Sequence, residues 1–252
     1  MAGHSKWANI QHRKGAQDKK RAKIFSKASK AIITAVKEGG PDPETNLRLK
    51  YAVEHAKSVN MPRDTIERAI KSASGAGEGD NYEEIIYEGY GPGGVAIMIE
   101  ALTDNRNRTA PELRKIFEKG GGNLGSTGCV AHSFARKALF TVKKDAIDED
   151  TLMEAALECG AEDVALADDV WEIVGPPESY SAIKQGLAES GVEVASAEVT
   201  RIPSVTVNIT ESSVAKRILN LMEALDDHDD VQRVHSNFDI APDLLETILA
   251  GS

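Results

Sequence analysis

ALFTVKKDAIDEDTLMEAALECGAEDVALADDVWEIVGPPESYSAIKQGLAESGVEVASAEVTRIP, residues 138–203, is the stretch that decides the fold. Its hydrophobic period switches repeatedly between that of a strand and that of a helix. Strands read at 138–143, 162–167, 170–174 and 192–201, with helices at 149–159 and 178–190. The resulting order, βαββαβ, is the ferredoxin-like arrangement. Fifteen acids against four bases give this stretch a net charge of −11.

Outward from it, the flanks read as two halves of one unit. On the N-terminal side, YEEIIYE (82–88) and GVAIMIEAL (94–102) are strand-like and joined by GYGPG. A helix running to Lys119 follows, with Thr109 and Glu112 spaced as a capping box. GGGNLGSTG (120–128) is a Gly-rich loop, read as a helix stop and a mobile connection, and CVAHSFA (129–135) is strand-like. On the C-terminal side come a strand at 205–209, a helix at 211–226 and a strand at 231–239. This last βαβ piece is too small to stand alone. It completes a sheet begun at 82–135, which makes the ferredoxin-like unit an insertion. The expectation is an α+β protein of three domains. They are a three-helix domain over 1–77, a discontinuous central α+β domain over 82–136 plus 204–245, and the acidic ferredoxin-like domain over 137–203. Joints near 74–81 and 203–204 read as flexible.

The first domain carries the opposite charge. Residues 1–37 hold ten Lys/Arg and a single acid, Asp18, in a chain whose net charge is −10. Residues 1–17 read as an extended arm. From Asp18 to Glu38 the apolar stripe Phe25, Ala28, Ile32, Val36 marks a helix, and Lys20, Lys23, Lys27 and Lys30 recur on nearly its opposite face. Helices at 44–58 and from Pro62 to Ala73 complete the bundle. Lysine and arginine neutralise phosphates and release counterions. The expected nucleic-acid contacts are therefore Lys6, Arg13, Lys14, Lys19, Lys20, Arg21, Lys23, Lys27 and Lys30, with Trp7 and His12 placed to stack on bases. The bland reading is a solvated helix face with Trp7 tucked into the bundle. Arg106 and Arg108, ahead of the capped helix, form a second possible phosphate site, unless Asp104 simply pairs with one of them.

Several chemistries lose their footing on the residues. G-x-G-x-x-G at Gly89–Gly94 is followed by a strand where a dinucleotide site needs a helix. The Gly-rich loop lacks a Walker Lys-Ser/Thr ending. Cys129 and His132 offer only two metal ligands, and no G-x-S-x-G elbow or H-E-x-x-H helix occurs. Asp226, Asp227, His228, Asp229 and Asp230 read as a solvated loop. Ala2-Gly3-His4, behind a removed Met1, is an incidental copper(II) motif at most. The expectation is no enzyme, no cofactor and no metal. A composition of 41% hydrophobic and 28% charged residues, without an apolar run long enough for a bilayer, fits a soluble chain away from the membrane. Two cysteines and no apolar leader point to the cytoplasm.

GHSKWANIQHRKGAQDKKRAKIFSK (3–27) and TDNRNRTAPELRKIFEKGGGNLGSTGCVAHSF (103–134) closely resemble the YebC family, and the resemblance runs from Ala2 to about Ile240. That family includes probable bacterial transcriptional regulators and the mitochondrial translational activator of cytochrome oxidase subunit one. The resemblance implies the three-domain α+β fold, nucleic-acid binding and control of gene expression without catalysis. It leaves two targets open: promoter DNA, or ribosomal RNA in translation that relieves stalling at stretches such as polyproline. A protein-interaction scaffold, whose basic arm holds an acidic partner or the chain's own acidic domain, is the rival from another class. The acidic domain is expected to contact the ribosome or another protein, or to steer the basic end, and not to bind nucleic acid itself.

Overall fold

Three helices open the described chain, in a computed structural model that covers residues 18–75, 81–167 and 170–250. α1 (Asp18–Gly39) buries Ala28, Ile32, Ala35 and Val36 along the stripe that the spacing marks. α2 (Leu47–Ser58) begins after Asn46, whose Oδ1 accepts the Leu49 N–H at 3.1 Å and whose Nδ2 donates to the Ala35 carbonyl at 2.7 Å. That one side chain caps α2 and ties it to α1, which is why the helix starts at Leu47 and not at 44. α3 (Arg63–Ser74) follows Pro62 and closes the core with Ile66 and Ala69.

β1 (Glu83–Tyr90) and β2 (Ala96–Thr103) form an antiparallel hairpin in which Tyr90 faces Ala96. Gly93 and Gly94 turn the chain at φ of 72° and 77°, a region costly for residues with a Cβ. α4 (Arg106–Lys119) starts earlier than the Thr109–Glu112 spacing suggested. Asn105 Oδ1 accepts the N–H groups of Asn107 and Arg108, so the capping role is already filled and Thr109 is buried inside the helix. The Gly-rich loop after it is not a loose connection. Asn123–Leu124 (β3) pairs with β1 at the sheet edge. The Glu88 carboxylate accepts the N–H groups of Gly128 and Val130 at 2.7 Å and of Ala131 at 2.9 Å. This capture holds Cys129–Ser133 in turns where the sequence read a strand, so β4 begins only at Phe134.

β4 (Phe134–Lys143), α5 (Glu149–Glu158), β5 (Asp163–Ala167), β6 (Val170–Gly175), α6 (Tyr180–Glu189) and β7 (Val194–Pro203) follow in βαββαβ order. Their sheet runs β5-β6-β4-β7, and its Phe140 and Ile173 are fully buried in one core with Leu152 of α5 and Ile183 and Leu187 of α6. The joint at 203–204 is pinned: β4 and β7 pair as far as Phe134 opposite Pro203, and Ser204 N–H donates to Ser133 O at 2.8 Å.

The chain then returns to the first sheet. β8 (Val207–Ile209) leads into α7 (Ser212–Asp226), and β9 (Val231–Ser236) pairs antiparallel with β2. The sheet order β3-β1-β2-β9 therefore joins strands from both sides of the ferredoxin-like unit. Residues 231–239 are not one strand. Asn237 breaks them: its Oδ1 accepts Ala96 N–H at 2.8 Å and its Nδ2 donates to Val205 O at 3.1 Å. Beyond it β10 (Phe238–Ile240) turns away to pair in parallel with β8. α8 (Pro242–Ala250), which the sequence reading missed, puts Leu245 and Ile248 into the same core as α4 and α7.

The two sheets meet at a charged seam. Glu100 on β2 accepts from Arg201 of β7 at 3.1 Å and lies 3.3 Å from His235 of β9. Burial by itself raises the Glu100 carboxyl, but the hydrogen bond and charge of His235, with Arg233 and Arg201, outweigh it and bring it down to about 2. A carboxyl depressed in the fold stabilises it above the unfolded value and loses that contribution as pH falls. Stability should therefore drop between about pH 4.5 and 2, and Glu100→Gln should flatten that part of a pH-resolved urea profile. Asn237→Ala should cost about 2 kcal/mol in the same assay, because it strands buried backbone groups.

Candidate nucleic-acid interface

α1 is the helix on which the expected contacts concentrate. Of the eleven basic and aromatic candidates, Lys6, Trp7, His12, Arg13 and Lys14 lie outside the described residues, as does the Ala2-Gly3-His4 motif. Lys19 and Lys20 belong to the first turn of α1, and Arg21 is exposed.

Lys23, Lys27 and Lys30 do something the sequence did not suggest. They recur every three or four residues, so they share one face of α1. That face lies against the end of α7 and the five residues Asp226–Asp230. Lys23 Nζ donates to Asp227 O at 2.8 Å and pairs with its carboxylate at 3.0 Å. Lys27 Nζ donates to Asp226 O and lies 3.5 Å from its carboxylate. Lys30 Nζ donates to Asp229 O at 3.0 Å and to Asp230 Oδ1 at 2.9 Å, with the Tyr82 ring 5.4 Å away. The last carbonyls of a helix lack intrahelical partners and carry partial negative charge, so cations there are favourable. Burial lowers the Lys27 pKa, and Asp226 offsets only part of that.

Asp230 is the centre of this contact and only 2% exposed. Besides Lys30 it accepts from Arg108 and from Thr109 of α4, each at 2.8 Å, and from Thr103 of β2 at 3.3 Å. Burial pushes its carboxyl up, but the hydrogen bonds from Arg108, Lys30 and Thr109 hold it well below the usual carboxylate range. Its neighbour His228 accepts the Asp230 N–H at 3.1 Å and reaches Glu112 at 3.0 Å. The run 226–230 is thus an ordered, partly buried joint and not the solvated loop its composition suggested.

Arg108 is committed as well. It holds Asp104 at 2.8 Å in addition to Asp230, and the hydrogen bonds to Asp230 and Asp104 raise its pKa. Arg106 stands apart, exposed, with Glu83 at 3.8 Å. The contact itself lines an open cleft of about 590 Å³, walled by Lys23, Lys30, Tyr82, Arg108, His228 and the acids Asp104, Glu112, Asp227, Asp229 and Asp230. Among the described residues no group of three or more His, Cys, Asp or Glu side chains is placed to hold a metal ion. No described helix is long and apolar enough to cross a membrane.

The helical bundle also touches the acidic unit, through α2. Tyr51 of α2 meets Tyr180 of α6 edge-on, with centroids 5.3 Å apart, and Lys184 pairs with Glu54 at 3.0 Å. The bundle therefore bridges both sheet-containing units.

Comparison with known proteins follows this architecture. Residues 5–76 match the family model described as TACO1/YebC protein N-terminal domain, and residues 82–238 match TACO1/YebC second and third domain. A probable transcriptional regulatory protein of Natranaerobius thermophilus is 56% identical over 250 residues, spanning 98% of this chain and 100% of the relative. Another of that description, from Dictyoglomus turgidum, is 52% identical over 249 residues, again spanning 98% and 100%. The crystal structure of a conserved hypothetical protein from Aquifex aeolicus superposes with a TM-score of 0.80 at 47% identity, covering 89% of this chain and 92% of that one.

Removing Asp230 leaves Lys30, Arg108 and two threonines without their shared acceptor. Asp230→Ala should cost about 3 kcal/mol in urea unfolding. Asp229→Asn, at an exposed side chain, should stay within about 0.5 kcal/mol of the parent.

Proposed function

The chain belongs to the TACO1/YebC family, and from that premise we propose that it is a non-catalytic regulator of gene expression that binds nucleic acid through its N-terminal segment. The transcriptional role in the names of its relatives is the first reading, with DNA as the target. The observation that carries it is the segregation of charge: ten Lys/Arg and one acid in residues 1–37, on a chain of net charge −10. Lys6, Arg13, Lys14, Lys19, Lys20 and Arg21 are the primary phosphate contacts in this reading, with Trp7 and His12 stacking and Arg106 as an accessory contact.

Recognition is of the backbone more than of base edges. α3 exposes Arg63, Arg68 and Lys71, and Arg63 is tied to Glu67 at 2.7 Å, which makes it a poor reading helix. That favours RNA as a second target class, as in a ribosome-associated translation factor. The acidic unit, taken as 137–203 within a central domain of 82–136 plus 204–245, repels polyanions and turns the basic end towards them. Action in the cytoplasm accompanies this reading.

The test is fluorescence anisotropy of the full chain with labelled duplex DNA and with labelled structured RNA over a salt series. Binding should weaken steeply with salt, and changing Lys19, Lys20 and Arg21 together to Gln should weaken it roughly tenfold. Absence of binding to both probes at low salt would return the chain to the protein-scaffold class.

A further inference from the structure

The Lys23, Lys27 and Lys30 face is a regular basic surface, and it is already occupied. Each lysine meets a backbone carbonyl and a carboxylate of Asp226–Asp230, from a residue about 200 positions away. A row of closely spaced anionic oxygens along a helix face is also what a phosphodiester backbone presents. We propose that the Asp226–Asp230 run is an internal surrogate for a polyanion, and that nucleic acid must displace it to reach Lys23, Lys27 and Lys30. The proposal rests on the nucleic-acid reading above and adds its regulation: the resting chain holds part of its own binding face shut.

The contact is built so that it can open without unfolding either side. On the loop side, Asp230 keeps Arg108, Thr109 and Thr103 when Lys30 leaves. On the α1 side, Ala28, Ile32, Ala35 and Val36 are buried within the helical bundle and do not depend on the loop. The outermost ion pair is the weak one: the Lys23 and Asp227 side chains are 39% and 56% exposed, so solvent screens them, whereas Lys27–Asp226 and Lys30–Asp230 are set deeper. Lys23 and Lys30 line an open cleft together with Asp227, Asp229 and Asp230, so both halves of the contact are reached from solvent there. Local electrostatics also favour a releasable lid. Asp226 and Asp227 sit at the C-terminal end of α7, where negative charge is unfavourable, so neutralising them does not weaken that helix.

The experiment compares the parent chain with the double variant Asp226→Asn/Asp227→Asn. A control, Glu154→Gln/Glu158→Gln, makes the same charge change on exposed positions of α5. Each is titrated with labelled single-stranded RNA and with labelled duplex DNA over a salt series, after urea unfolding confirms the fold. Opening the latch should tighten binding about 3- to 10-fold beyond any gain in the control. It should also steepen the dependence of log K on log salt by about 1–2, because lysines once neutralised by the loop now release counterions. Equal gains in both variants, or an unchanged slope, would overturn the latch while leaving the nucleic-acid reading in place. Absence of binding by all three proteins would overturn that reading, and the latch with it.

Discussion

The buried carboxylate of Asp230 fixes where everything else can go. One group of oxygens serves Lys30 from the helical bundle, Arg108 and Thr109 from α4, and Thr103 from β2, while the Asp230 carbonyl accepts the Leu102 N–H at 2.8 Å. A charge that far from water is tolerable only with such a set of donors. The position of α1 relative to the central sheet follows from it, as does the alignment of Lys23 and Lys27 with the end of α7. A second joint, Tyr51 against Tyr180, then sets the bundle on the acidic unit, and the Glu100–Arg201 pair closes the triangle between the two sheets.

Local pattern made most of the fold readable. The βαββαβ order of 138–203, the stripe on α1 and the turn at Gly91–Gly94 rest on periodicity and on glycine chemistry, both of which are short-range. The insertion was legible because 205–239 is too small to fold alone, and β9 lies on β2 as that argument requires. The errors arise where a distant partner overrides a local preference. Thr109 looked like a cap, but Asp230 takes its hydroxyl. Residues 129–133 looked like a strand, but Glu88 takes their N–H groups. Residues 231–239 looked like one strand, but Asn237 is needed to bind Ala96 and Val205. α8 does carry a local signal, with Pro242 at its first position and Leu245 and Ile248 spaced for one face.

The candidate site was legible in part. Composition placed the cations on α1 correctly, but it could not say what they face. Asp226–Asp230 and Lys23–Lys30 are each strongly charged, and only the tertiary fold brings them together. The same logic recurs at the Gly-rich loop. Read as a helix stop and a mobile connection, it ends instead in N–H groups of Gly128, Val130 and Ala131 that converge on an anion, and the anion is the protein's own Glu88. Arg108, read either as a phosphate ligand or as a partner of Asp104, is held by Asp104 as the second reading has it, and by Asp230 as well. Three features that advertise polyanion binding are thus met by internal carboxylates. Burial separates the carboxylates that stay with the fold from the one most open to exchange: Glu88 and Asp230 are 4% and 2% exposed, whereas the side chain of Asp227 is 56% exposed.

The central claim is that the α1 lysine face changes partners when nucleic acid binds. Amide hydrogen exchange on the full chain, with and without saturating nucleic acid, addresses it directly. The reporters are the N–H groups of Asp227, His228, Asp230 and Val231, which are bonded within the joint to Glu223 O, Leu225 O, His228 Nδ1 and His228 O. Losing the lysines that brace the carbonyls of Asp226, Asp227 and Asp229 makes local opening of the joint more frequent, so the account predicts faster exchange at 226–231 on binding, while the β4 and β6 amides of the acidic unit stay unchanged. Unchanged or increased protection at 226–231 under saturation would contradict it.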